Sequence, residues 1–310
     1  MSAVRLDNSY EGRYLGLMSV QIPDKHSNRQ LSSQLLWLFE LACEYDRIGD
    51  VYHAVKLCKR LIKQVPSWVK PYSLLAEIYL RRREWKPALH YSLEVVKRQA
   101  NDERAREITV MAAMAQRRWE LARRMAGARH VQHSRGSFQL VCLNPGVKPE
   151  VLLARSRSVG QSVVQGVPQP SSGYRFGDVV LTGWSPIAWQ VVAHRRVEVY
   201  PVWKRLIPSR YTTYSVVLTT ASSEALEAMR QLCRYEGIGF DNWSRAIRQM
   251  APLDGTRPAE LYDFSVFPQS MPHGHTLIAL ASTRKGRVWR LLHNWHVITG
   301  EDYYNLVKHD

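Results

Sequence analysis

Two short stretches of this chain interleave cations with aromatic rings, the combination that an unpaired nucleic acid strand asks of a protein. One is Tyr200-Pro201-Val202-Trp203-Lys204-Arg205, continued by Arg210-Tyr211; the other is Arg284-Lys285-Gly286-Arg287-Val288-Trp289-Arg290, continued by His293-Asn294-Trp295-His296. Cationic heads neutralise phosphates, and aromatic faces stack on unpaired bases. At helical spacing Arg287, Arg290 and Asn294 share one face of the second stretch, with Val288, Leu291, Leu292 and Trp295 on the other. Its tryptophans therefore suit a core equally well.

Metal or acid–base chemistry has weaker footing. His273-Gly274-His275 and His293/His296 are the close histidine pairs, and neither has the helical i, i+4 spacing of a zinc site. The four cysteines, Cys43, Cys58, Cys142 and Cys233, show no close pair or metal spacing, which fits a reducing compartment; Cys43 and Cys58, in helices of the first repeat, read as small buried hydrophobes. Gly237-Ile238-Gly239 lacks the third glycine and the following helix of a phosphate loop. No metal, cofactor or catalytic residue is assigned. An enzyme would need a polar cleft where His273 or His275 meets a carboxylate.

The elements that must position these residues divide into two kinds. From Val69 to Asp102 apolar residues recur three and four apart in two runs, Pro71–Leu80 and Trp85–Lys97, separated by Arg81-Arg82-Arg83. That is a helix–turn–helix pattern. Moved by 34 residues, the pattern recurs: Ala54, Ala88 and Ala122 are one period apart, as are Ala42 and Ala76, Tyr45 and Tyr79, and Trp85 and Trp119. Alanines at fixed spacing mark where antiparallel helices approach closely. With this period, Leu35–Trp68, Val69–Asp102 and Glu103–Gly136 resemble three tetratricopeptide repeats.

That resemblance implies a scaffold that docks a protein partner. In such repeats one face of the first helices lines the groove. The matching positions here are Leu36, Phe39 and Cys43, then Lys70, Ser73 and Glu77, then Arg104, Glu107 and Met111, though Leu36 and Phe39 suit contact with this chain's own arm or C-terminal part equally well. The lysine–asparagine set of the members that clamp a chaperone's carboxylates is absent, so that activity is not carried over.

Charge is concentrated on the repeats. The net charge is +16, and residues 53–136 hold 19 Lys/Arg against 7 Asp/Glu, whereas residues 1–52 hold 5 against 7 and residues 137–310 hold 19 against 13. Arg47 and Arg81, and Arg83 and Arg117, are separated by the repeat period, with Arg82 and Arg118 beside them. A basic edge of this kind attracts a polyanion such as nucleic acid or an acidic protein segment. Arginines near helix C-termini also favour the helix dipole and solubility.

The organisation expected is a polar arm over residues 1–30, a helical repeat domain over 31–136 and an α+β domain with a mainly antiparallel sheet over 137–310. In the last, Ser137–Leu143, Asp178–Leu181, Trp189–Val192, Arg196–Tyr200, Thr212–Thr219, Asp263–Phe267 and Thr276–Ala281 read as strands. Pro149–Val159, Glu224–Tyr235, Asn242–Met250 and Lys285–Ile298 read as helices, Gly160–Gly177 as a linker, and the residues after Gly300 as a short helix or coil. No apolar run reaches the roughly 20 residues of a membrane span, and no signal-like segment opens the chain, so a cytoplasmic protein is expected. Three functions compete: a non-enzymatic adaptor in a larger assembly with a basic surface for a polyanion, an RNA- or single-stranded-DNA-binding subunit of a ribonucleoprotein or of a defence or mobile-element complex, and an enzyme with its site in the α+β domain. The oligomeric state is left open.

Overall fold

A computed structural model describes residues 31–127, 136–145, 149–192, 195–245 and 272–309, so the arm over 1–30 and the strand expected at Asp263–Phe267 lie outside the described residues. The chain divides between Ala112 and Ala113 into two compact units.

A series of helical hairpins opens the structure: α1 (Ser33–Arg47) with α2 (Val51–Gln64), α3 (Val69–Arg81) with α4 (Trp85–Arg98), then α5 (Glu103–Ala115) and α6 (Trp119–Ala126). Ser32 and Asp50 cap α1 and α2 by accepting from the amides of Leu35 and His53, three residues on. The connecting turns are copies of one another. Gly49, Arg83 and Arg117, 34 residues apart, are all left-handed, with φ of 81°, 57° and 61°. Their amides donate to the carbonyls of Asp46, Leu80 and Met114, and the next amides in the chain to Tyr45, Tyr79 and Ala113. A left-handed residue after a helix lets the chain reverse while capping its last carbonyls, which suits Gly49 and strains two arginines.

The periodic alanines lie where helices meet: Ala42, Ala54, Ala76, Ala88 and Ala122 are all buried. Leu38, Phe39, Cys58, Leu61, Trp68, Leu74, Leu75 and Ile78 form a core common to α1, α2 and α3, with the Phe39 and Trp68 rings 5.2 Å apart. Tyr79 stacks on Tyr91 across the second hairpin with centroids 5.6 Å apart. Ala105 of α5 continues the packing against Tyr72 and Val95.

The strand-rich region has two sheets. The first joins β1 (Phe138–Leu143), β2 (Glu150–Ser158), β3 (Gln161–Val164), β4 (Val179–Thr182), β5 (Ala188–Val192) and β6 (Arg195–Ile207). Neighbours pair antiparallel, but β1 also pairs with β6 in parallel through Leu140↔Val199 to Cys142↔Pro201, closing β1-β2-β3-β4-β6 into a barrel. Its interior is packed by Val141, Leu143, Leu152, Ala154, Val164, Val180 and Val202. The expected mainly antiparallel sheet is thus corrected to a closed barrel with mixed pairing plus a second sheet.

That second sheet follows the order β-α-β-β-α-β: β7 (Thr212–Leu218), α7 (Ser223–Glu236), β8 (Gly239–Asn242), β9 (Thr276–Ser282), α8 (Lys285–Thr299) and β10 (Tyr303–His309). Its strands run β10-β7-β9-β8, all antiparallel, the ferredoxin-like arrangement. One face packs Tyr214, Val216, Leu218, Ile278 and Leu280 against α7 and α8. Ser222 caps α7, and Gly237 ends it in the left-handed conformation.

Three local expectations fail, and a fourth fails over its described part. Pro149–Val159 is strand β2, where Leu152 and Ala154 point into the barrel and the alternate Leu153, Arg155 and Arg157 are exposed. The expected linker Gly160–Gly177 contains β3 and a 3-10 turn at Pro170–Ser172. The tail after Gly300 is β10, an edge strand whose register shifts between Tyr304 and Val307, with Asn305 at φ 54°. Of the helix expected at Asn242–Met250, the described part forms β8's end and a 3-10 turn at Trp243–Arg245.

Candidate functional site

The groove positions fall into three environments. Leu36 is 43% exposed, whereas Phe39 and Met111 are buried. Cys43 is half-buried, with burial pushing its thiol up to about 11. Glu77, Arg104 and Glu107 form one cluster: Arg104 donates from Nε and Nη2 to the Glu77 carboxylate at 2.5 and 2.8 Å, and from Nη1 to Glu107 at 2.7 Å. Burial works against the guanidinium charge, but the two carboxylates outweigh it and hold the group charged. The cluster ties α3 to α5, so these three groups serve the packing of successive first helices. Lys70 is exposed, and Ser73 directs its hydroxyl to the Val69 carbonyl at 3.5 Å. Trp37, beside Leu36, is 58% exposed. The open apolar surface on α1 is therefore Leu36 with Trp37.

The basic positions of the hairpins are divided between pairing and exposure. Arg47 bonds Glu44; Arg81 pairs with the buried Asp46 on α1; and Arg82 pairs with Glu84 at 2.5 Å. Arg83, Arg117 and Arg118 are exposed and carry no ion pair among the described residues. Arg98 is a tie between hairpins: it lies over the Tyr72 ring at 4.2 Å and donates to the Pro66 carbonyl at 3.0 Å.

In the strand-rich region most of the expected phosphate contacts have internal partners. Lys204 Nζ donates to the Ala115 carbonyl at 3.0 Å. Arg205 donates to the Gly173 carbonyl at 2.7 Å and lies 3.5 Å from buried Asp178, so it braces one end of the barrel. Arg287 donates to the backbone and carboxylate of Glu236, which also lies 3.5 Å from Arg290. Arg210, Arg284 and Lys285 are exposed. Trp295 is fully buried and donates to the Ala225 carbonyl at 2.8 Å, while Trp289 is 47% exposed. The helical split into a basic and an apolar face holds, and Trp295 belongs to the core.

The second face of the ferredoxin-like sheet is covered over β8 and β9. Val217, Leu277, Ala279 and Ala281 pack with Val167 and Trp243, flanked by Phe176 and Tyr211. The Phe176 ring lies so close to Gly239 that an added Cβ would meet it at 2.7 Å. A single strand of nucleic acid has no access to that part of the sheet. His275 contacts the Pro272 carbonyl at 3.2 Å and the Tyr304 ring at 5.8 Å. Among the described residues no group of His, Cys, Asp and Glu is arranged to hold a metal ion. Nor, among the described residues, is any helix long and apolar enough to cross a membrane.

One surface escaped the sequence reading. On the barrel exterior Phe138, 63% exposed, stands directly opposite Arg155, which stands opposite Val163 on the next strand. Gly136, Arg155, Ser156, Arg157, Val163 and Gln165 line an open cleft of about 570 Å³ there. The signal was the alternation Leu153-Ala154-Arg155-Ser156-Arg157, obscured by reading the segment as a helix.

No family model matches the chain, and no curated protein matches it. Among solved structures, a chain of a "CopN-Scc3 complex" is 15% identical, with coverage of 39% of this chain and 75% of that one at a TM-score of 0.31. A "hypothetical protein from Neisseria gonorrhoeae" is 12% identical, covering 56% of this chain and 94% of that one at a TM-score of 0.22. Likenesses this weak carry no argument about role.

Proposed function

We propose that this chain is a non-enzymatic docking scaffold of the tetratricopeptide kind, in which the hairpin array holds a protein partner within a larger assembly. The observation that supports it is the exposure of Leu36 and Trp37 on the outer side of α1, next to Leu38 and Phe39, which pack inward. Two large apolar side chains exposed on one helix of an array call for a cover, here a partner rather than the chain's own residues. The repeated turns and the Arg104 cluster give the array a defined geometry on which such a cover can be read. Exposed Arg83, Arg117 and Arg118 add attraction for an acidic partner.

The experiment is affinity purification of the full chain at high salt after nuclease treatment, comparing wild type with Leu36→Glu/Trp37→Glu. A partner at fixed stoichiometry with wild type and absent with the variant is the expected result. Retention of the same partner by the variant, with its helical content unchanged, would remove the hairpin face from the reading.

A further inference from the structure

We infer that the outer face of the barrel formed by β1, β2 and β3 binds single-stranded nucleic acid, with Arg155 and Arg157 on phosphates and Phe138 stacked on a base. This site lies outside the hairpins and is independent of the scaffold reading.

Strand geometry sets the argument. Alternate residues of β2 point to opposite sides, so burial of Leu152 and Ala154 inside the barrel forces Leu153, Arg155 and Arg157 outward. Both arginines are exposed on that side of β2. Alternate residues of a regular strand are about 6.6 Å apart, on the order of the step between successive phosphates, and the register to β3 shifts between Ser156 and Ser158, at Arg157. Phe138 and Arg155 are a direct cross-strand pair, near enough for ring and guanidinium to engage adjoining parts of one nucleotide. The β5 side of the barrel exterior is already closed, since Leu140, Cys142 and Val151 pack under Ala188 and Val199. Among the described residues the patch from Phe138 to Gln165 is open.

Charge chooses the ligand class, and the ring refines it. Among the described residues two guanidinium groups and no carboxylate line the cleft. Arg155 donates through Nε to the Gly136 carbonyl at 3.3 Å, which orients the guanidinium without neutralising it. An acidic peptide would meet the cations equally well but has no use for a phenyl ring exposed beside them; a base does. The interior of the barrel is filled by aliphatic side chains, so a ligand approaches from outside.

The test is fluorescence anisotropy of the full chain with a labelled twelve-residue oligo(U), with polyglutamate of equal length as the competing class and inorganic phosphate as the minimal anion. Arg155→Glu/Arg157→Glu is expected to weaken oligo(U) binding at least about 10-fold and to flatten the log K against log salt slope by about 1.4, for two phosphates. Phe138→Ala is expected to weaken it about 5-fold or more through lost stacking, with the slope unchanged. Phe138→Tyr should retain binding, and Arg155→Gln/Arg157→Gln keeps the charge test available if the reversal variant misfolds. The charge-matched control Arg60→Glu/Lys63→Glu, on exposed residues of α2, should have a smaller effect. Equal losses from the control, oligo(U) binding indifferent to Phe138→Ala, or polyglutamate or millimolar phosphate displacing oligo(U) equally well from wild type and Phe138→Ala would each overturn the inference.

Discussion

Trp243 donates its indole N–H to the carbonyl of Val167 at 3.0 Å, and Asp241, two residues earlier, accepts from the amide of Val167 at 3.2 Å. Both backbone groups of one barrel-loop residue are thus satisfied by the edge of the ferredoxin-like sheet. Without this, the loop would bury an unpaired amide or carbonyl against Leu277 and Ala279. Trp243→Phe should cost about 1 kcal/mol for the lost hydrogen bond, and Trp243→Ala about 3–5 kcal/mol once the cavity is added. Urea unfolding monitored by circular dichroism reads the difference.

Gly239 is where the same contact is tightest. The Phe176 ring occupies the space of a Cβ there, so Gly239→Ala must push the ring or the strand aside. A loss of about 1–3 kcal/mol is expected. Gly173→Ala is the comparison: its surroundings are open, but its φ of 73° penalises any side chain. If Phe176→Leu restores stability to Gly239→Ala, the penalty comes from the ring.

The hairpin turns make the opposite prediction. Arg83 and Arg117 hold a backbone conformation that Gly49 adopts freely at the same place in its turn. Arg83→Gly is expected to stabilise the chain by about 1 kcal/mol, since the left-handed penalty outweighs the entropy glycine adds to the unfolded chain. A melting temperature that falls instead would mean that the Arg83 side chain does something in the folded protein that outweighs its strain.

How much of this was legible in the sequence depends on how local each cause is. The hairpins were visible because their alanines and aromatics recur every 34 residues, each copy repeating the same short-range contacts. Helix α8 was visible from Val288, Leu291, Leu292 and Trp295 at helical spacing. Strand β2 was not: Pro149 resembles a helix start, and Leu-Leu-Ala-Arg are good helix formers. Pairing with β1 and β3 overrides that preference. The β1–β6 closure brings together residues some sixty apart in sequence, which no local pattern encodes. Among the candidate surface residues, charge type was readable but pairing was not. Nothing near Arg81 in sequence reveals Asp46, and nothing near Arg104 reveals Glu77.

Acid should act through Glu94. Its carboxyl is held at about 2 rather than 4.5, first by the hydrogen bond from Arg98 and then by that from Lys97. A depressed folded value means its contribution is complete above pH 4.5 and is lost as pH falls toward 2. Glu94→Gln should therefore flatten the pH dependence of stability in that window and leave the neutral region's slope unchanged. Unfolding midpoints measured every half pH unit from 2 to 6 provide the check.

The thiols should be silent in the folded chain. Burial pushes Cys58, Cys142 and Cys233 up to about 12 and Cys43 to about 11, so little reactive thiolate exists at pH 8. Labelling with an aromatic disulfide reagent is expected to be slow natively and complete in denaturant, with half-buried Cys43 the first to react. Rapid labelling of Cys142 in the native protein would contradict its cover by Ala188 and Val199 on the barrel exterior.

The strand β10 that borders β7 is also the last part of that sheet to be made. During synthesis the barrel strands can pair once Ile207 has left the ribosome, but β7 keeps one edge bare until Tyr303–His309 emerges. A nascent chain stalled near Thr299 would therefore carry a complete ring of strands beside an unfinished sheet, and it would be most prone to mispairing with a neighbour at that moment.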